Sequence, residues 1–227
     1  QMLVPFVLVA AVAALTLGLR LLHHTDALSE RARGWLPLAA FAAVAVAPLH
    51  DFGQRDHLFA LFAFPYVLLA GLRLDGRAPR PGLAAAVGLF AVFGIALKPH
   101  FVLLPLLLEG AVLARARSWR PLFRPETLAL AGALVAYALL VVVLYPAYFT
   151  TTLALYAQVF GAFQQPLGTL LVRPEMILAA VTLVAWLLAG RAGGGQALAA
   201  LTAMAAAVAI FLLQKKGWTY QAAPILV

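Results

Sequence analysis

The sequence predicts an all-α protein, a polytopic bundle of about eight to nine transmembrane helices, and three observations predict it. Hydrophobic residues make up 65% of the 227-residue chain and charged residues 11%, with a mean hydropathy of +0.99, far from a water-soluble domain. Apolar runs of about 15 to 22 residues recur along the chain, and roughly 20 residues of helix cross the hydrocarbon core. The runs also lack the residue-by-residue alternation of a membrane barrel.

In chain order the expected spans are 2–22, 35–49, 58–72, 83–97, 101–113, 128–148, 176–190 and 197–213, with a ninth starting near Ala222. The first has no basic lead and is longer than the apolar region of a signal peptide, so it reads as a span. A single transmembrane domain over 1–227 is the simplest organisation. The chain ends partway into an apolar run, which reads as an interior piece of a longer protein. With no cysteine, the sequence offers neither a disulfide framework nor a thiolate metal site.

Alternate loops fall into two sets, and one of them holds eleven of the sixteen Lys and Arg residues, from Arg20 through Arg73, Arg77, Arg80 and Arg115 to Arg191. The positive-inside rule makes that set cytoplasmic. It also accounts for the formal charge of +8 through loops and anionic headgroups, without nucleic acid as a partner. The cytoplasmic loops LDGRAPRPG and RARSWRPLFRPET read as solvated arginine, proline and glycine connectors. The outer loops read HDFGQRDH, KPH, YFTTTLALYAQVFGAFQQPLGTLLVRP and QKKGWTYQ. Nearly all the chemically versatile side chains collect there.

In HDFGQRDHLF, Asp51 and Asp56 are candidates for a base or metal ligand, and Arg55, His50 and His57 for binding an anion. A plain solvated hairpin, turned by Gly53, accounts for the same residues. In ALKPHF, Lys98 and His100 flank Pro99 between two apolar runs with almost no loop. A broken-helix arrangement there turns the lysine into a polar cavity, where it is a compact phosphate ligand; snorkelling to the interface is the bland alternative. In QKKGWTYQ, Lys215 and Lys216 stand beside Trp218 and Tyr220 on the face where the positive-inside rule disfavours lysine. That placement asks for a lipid phosphate, or for pairing with Asp51 or Asp56.

Segment 149–174 spaces Phe149, Tyr156, Phe160 and Phe163 at near-helical intervals, with Gln158, Gln164 and Gln165 between them. The pattern suits a helix lying in the interface, either as an amphipathic connector or as a rim that grips an acyl chain and offers amides to a sugar. Glu109, followed by Arg115, reads as an ion pair near the inner end of its span. His23, His24 and Asp26 read as surface. No Walker loop, dinucleotide fingerprint or HExxH occurs.

FGQRDHL opening one span, LKPHF closing another and QKKGWTY before a third together resemble the GT-C superfamily of membrane glycosyltransferases. The likeness covers most of the chain as architecture, through short and degenerate motifs. It implies a GT-C-like fold and transfer of a sugar from a polyprenyl-phosphate donor to a lipid-linked, glycan or protein acceptor. It places the site on the periplasmic or extracellular face of a bacterial inner (plasma) membrane. It also implies a catalytic aspartate in the first outer loop after the first span; on the topology above, that loop would precede Gln1.

The chemistry of such a transfer sorts the candidates. Cleaving the donor leaves a polyprenyl phosphate with extra negative charge, which preorganised cations stabilise. Arg55, Lys98, His100, Lys215 and Lys216 are the candidates for that role. Asp51 or Asp56 would take the acceptor's proton or hold a divalent metal at the phosphate. Gln54, His57, Gln164, Gln165, Trp218 and Tyr220 are the candidates for holding acceptor or lipid. The competing readings are a polysaccharide ligase or polymerase using a lipid-pyrophosphate donor, and a lipid or solute transporter. The first calls for an arginine-rich outer loop, whereas 149–174 has only Arg173. The second calls for polar groups along a path through the membrane and paired broken spans.

Overall fold

The computed structural model describes residues 3–23, 35, 38, 42, 52–189 and 194–226, and among these it is helical, with no strand. The helices are α1 (Leu3–Leu22), α2 (Arg55–Leu74), α3 (Pro81–Ile95), α4 (Leu103–Ala116), α5 (Pro125–Leu144), α6 (Leu153–Gly161), α7 (Leu167–Leu171), α8 (Pro174–Leu188), α9 (Gly194–Gln214) and α10 (Ala223–Leu226). Short 3-10 turns, Pro99–Val102, Arg120–Phe123 and Thr219–Ala222, lead into α4, α5 and α10. α3, α5 and α8 each start on a proline, whose fixed φ and missing N–H suit the first helical position. α4 stops where Arg117 turns left-handed, at φ 48°.

α2 is the central helix, packed against α1, α3, α4 and α9. Its buried stripe runs Asp56, Phe59, Ala63, Tyr66, Ala70, at the three- and four-residue steps that keep one face toward the neighbours. Arg73 continues the same series, so a polar group stands at each end of an apolar seam. Pro65 lies within α2 and is buried. Phe59 stacks on Phe101 at 4.0 Å between ring centres, joining α2 to the turn before α4. α3 closes on α5 through Gly88, where a Cβ would collide with the Glu126 carbonyl oxygen. A second cluster, Leu170, Met176, Phe211 and Ala222, gathers α7, α8, α9 and the turn before α10.

Five stretches are long and apolar enough to cross a membrane: Leu3–Leu22, Arg55–Leu74, Pro99–Ala116, Pro125–Leu144 and Gly194–Gln214. Large apolar side chains on α5, such as Leu139, Leu140 and Val143, face outward rather than into the core. That is the arrangement of a helix whose solvent is lipid. The expected count of eight to nine is not reached among the described residues. α3 and α8 have 15 residues each, about 22 Å of helix against a hydrocarbon core of about 30 Å. The expected span at 35–49 lies outside the described residues except at Trp35, Leu38 and Ala42. The ninth run, near Ala222, is a 3-10 turn followed by the four-residue α10.

Candidate functional site

Three segments far apart in sequence meet at one end of the bundle: the start of α2, the α3 to α4 connector, and the end of α9. Their meeting point is Lys98. Its Nζ donates to Asp56 Oδ2 at 2.5 Å and to Gln214 Oε1 at 3.0 Å. Asp56 is fully buried and the Lys98 side chain is 13% exposed, so the charges are paired away from bulk water. The pairing is enforced locally, because Lys98 is the extended residue ahead of Pro99 and so projects from the break between two helices. Burial lowers the Lys98 ammonium from its ordinary value, and the Asp56 carboxylate works against that shift.

Aromatic faces surround the ammonium, with Phe101 at 5.2 Å and Tyr220 at 5.6 Å from Nζ to ring centre. Burial raises the Tyr220 phenol, and the nearby Asp56 charge raises it further. Gln214 neighbours both Asp56 and His100. Three buried polar atoms of this cluster have no hydrogen-bond partner: Asp56 Oδ1, Gln214 Nε2 and His100 Nε2.

Beside this core, Lys216 is buried, donates to the Tyr156 hydroxyl at 3.0 Å, and lies 4.8 Å from the Tyr156 ring and 5.0 Å from that of Trp218. The contact pins α6 to the end of α9. A backbone bond from Gln165 N to Lys215 O, 2.7 Å, adds a second tie. Gly217, at φ 65°, makes that approach feasible, since a Cβ would come 2.7 Å from Gln165 Oε1.

The expected site residues thus divide. Asp56, Lys98, His100 and Tyr220 come together, with Lys216 and Trp218 adjoining them. Arg55, Gln54 and Lys215 are exposed at the same end, as are the side chains of Gln164 and Gln165. His57 serves the local backbone instead. Its Nδ1 accepts from Gly53 N at 2.9 Å, and the ring packs on Phe52 at the start of α2. His50 and Asp51 lie outside the described residues. The expected pairing of Lys215 or Lys216 with Asp56 is not made: Asp56 pairs with Lys98, and Lys216 turns to the Tyr156 hydroxyl. In segment 149–174 the structure forms α6, whose described side chains are exposed although Tyr156 meets Lys216, and α7, which buries Leu170.

The ion pair expected between Glu109 and Arg115 is likewise not made. Six positions along a helix put the two side chains on different faces, and Glu109 instead accepts from the Tyr66 hydroxyl at 2.7 Å while Arg115 is exposed. The residue missed altogether is Gln214. The repeat of buried Ala207, Ile210 and Phe211 along α9 placed it on the inward stripe, and that periodicity was the available signal.

Among the described residues no group of three or more His, Asp or Glu side chains gathers as metal ligands do. Asp56 itself does not suit a divalent ion, since the adjacent Lys98 ammonium would repel it. Between α2, α8 and α9 lies an apolar cavity of about 540 Å³, walled by Phe59, Phe64, Leu178, Trp186 and Met204 among others. Phe59, one helical turn from Asp56, is among the residues that line it. No protein family, curated protein or solved structure matches this chain.

Proposed function

We propose that the chain is the membrane part of a GT-C-like glycosyltransferase with eight to nine spans. It moves a sugar from a polyprenyl-phosphate donor to a lipid-linked, glycan or protein acceptor at the periplasmic or extracellular face. The observation that carries the reading is the buried Asp56 held by Lys98 at the end of the bundle where Arg55, Lys215 and Lys216 also stand, next to an apolar cavity. An anionic amphiphile has the matching halves, a phosphate for the cations and a chain for the cavity.

Within this reading Lys98 pairs with Asp56 rather than binding phosphate. Asp56 is the general base: it removes the proton of the acceptor group, the acceptor atom bonds to the anomeric carbon, and the bond from that carbon to the phosphate oxygen breaks with its electron pair passing to the phosphate. Arg55, Lys215 and Lys216 stabilise the charge that develops there.

The test is transfer of radiolabelled sugar from a panel of polyprenyl-phosphate donors in liposomes by wild type, Asp56→Asn and Asp51→Ala. Loss of transfer in Asp56→Asn by about 10²- to 10⁴-fold, with Asp51→Ala active, supports Asp56 as the base. The reverse pattern moves the base to Asp51. No transfer with any donor, alongside protein-dependent movement of lipid or solute across the bilayer, replaces the enzyme with a transporter.

A further inference from the structure

The unpartnered atoms beside Lys98 constrain what binds there. Lysine only donates, so Gln214 must turn Oε1 toward it, and the amide Nε2 then points away with two N–H groups. Asp56 has one oxygen on Lys98 and the other, Oδ1, with no partner, on a residue with no exposed surface. The cluster therefore presents an anionic acceptor next to an uncharged donor. Burying such groups unpaired is unfavourable, and a bound group removes that cost.

A single atom satisfies both only if it donates and accepts. A phosphate oxygen accepts alone, and Asp56 Oδ1 repels it. An ammonium donates alone, and Lys98 repels it. A carboxamide can match both atoms, its N–H on Asp56 Oδ1 and its C=O on Gln214 Nε2, but its nitrogen lone pair is delocalised and is not free for the reacting carbon. A hydroxyl fits: it donates to Asp56 Oδ1, accepts from Gln214 Nε2, and keeps one lone pair for the reacting carbon. His100 Nε2 is the third unpartnered atom, on a ring that adjoins Gln214. It suits a second hydroxyl of the same ligand.

We propose that Asp56 Oδ1 and Gln214 Nε2 form the seat of the attacking hydroxyl, with His100 beside it, so that the acceptor is a sugar hydroxyl and not a protein amide or amine. The proposal rests on the glycosyltransferase reading. In the transfer step the hydroxyl proton passes to Asp56 Oδ1, the hydroxyl oxygen bonds to the anomeric carbon, and the donor phosphate leaves with the electron pair of its bond. Gln214 is a binding residue that holds the oxygen in line and exchanges no proton. The seat is closed over in this conformation. Entry requires movement of the Tyr220 turn, which follows the non-helical stretch 215–218 with its left-handed Lys215 and Gly217.

Binding separates the seat from catalysis. The full chain in detergent is titrated with methyl glycosides of glucose, mannose, galactose and arabinose, followed by saturation-transfer NMR. The decisive variant is Gln214→Glu, which keeps the length and still accepts from Lys98 but has no N–H to offer. At least one glycoside is expected to bind wild type. Gln214→Glu should weaken that binding about tenfold at an unchanged melting temperature, and exposed Arg115→Gln, at the opposite end of the bundle, should not. Equal binding to wild type and Gln214→Glu overturns the seat, as does the absence of glycoside binding to folded wild type, which leaves these atoms to water. Gln214-dependent binding without transfer from any donor would retain the seat and remove the glycosyltransferase; transfer that survives Gln214→Glu would do the opposite.

Discussion

The two ends of α2 carry the same kind of contact and treat it differently. At one end, Arg73 binds Glu126 as a fork, Nε to Oε1 at 2.7 Å and Nη2 to Oε2 at 3.0 Å, so both carboxylate oxygens are occupied. At the other, Lys98 takes one oxygen of Asp56 and leaves the second without a partner. Arginine's planar guanidinium closes a carboxylate; a lysine ammonium is a point charge that leaves room beside it. The first contact fastens α2 to α5. The second leaves one buried carboxylate oxygen without a protein partner. Glu109, nearer the Arg73 end, also has an unpartnered oxygen, but it is isolated from other such atoms, whereas Asp56 Oδ1 has Gln214 and His100 next to it.

This contrast breaks most visibly at Arg73. Arg73→Met strands the buried Glu126 charge and is expected to cost about 5 kcal/mol, read as a large fall in melting temperature in detergent. A fall no larger than that of an exposed control variant would deny the fork its fastening role. Lys98→Met is expected to cost less, about 3 kcal/mol, because Asp56 is already half unpaired, while transfer activity disappears. If Lys98→Met lowers the melting temperature more than Arg73→Met, the division of labour between the two ends is inverted.

Gly88→Ala tests the fastening without touching a charge. The new methyl meets the Glu126 carbonyl oxygen, backbone against backbone, and should cost about 1 to 3 kcal/mol, with acceptor binding unaltered once the protein is folded. A changed acceptor affinity would mean that strain at the α3 to α5 contact reaches the Lys98 end. The smallest effect is expected from Lys216→Gln, about 1 kcal/mol for the lost cation–π contact. It should raise the KM for donor while leaving the KM for acceptor alone; a change confined to acceptor would put Lys216 in the wrong half of the site.

Much of the architecture could be read from apolar periodicity alone. α1, α2, α5 and α9 stand within a few residues of their expected spans, and prolines and glycines mark where the helices start and stop. The membrane-crossing count was harder to read, because α3 and α8 are uniformly apolar yet short, and hydropathy does not fix the length of the helix that forms. At the site, the expected polar segments supply Asp56, Lys98, His100, Lys216 and Tyr220, yet their partners were not legible. Asp56 and Lys98 are 42 positions apart, and only the packing of α2 against the α3 to α4 break brings them together. Gln214 was overshadowed by the two lysines that follow it, although its position on the buried stripe of α9 distinguishes it from both.

Pro65 sits between the two ends of α2 and has a mechanical consequence. A proline has no N–H to donate, so the carbonyl of Leu61 lacks its partner one turn along, and the ladder of backbone bonds is interrupted at the middle of the helix. Bending stiffness is lowest at such an interruption. The half from Arg55 to Phe64 is therefore held by side-chain packing, Phe59 on Phe101 and Phe62 on Phe90, rather than by an unbroken ladder, while the fork fixes the half from Tyr66 to Leu74 to α5.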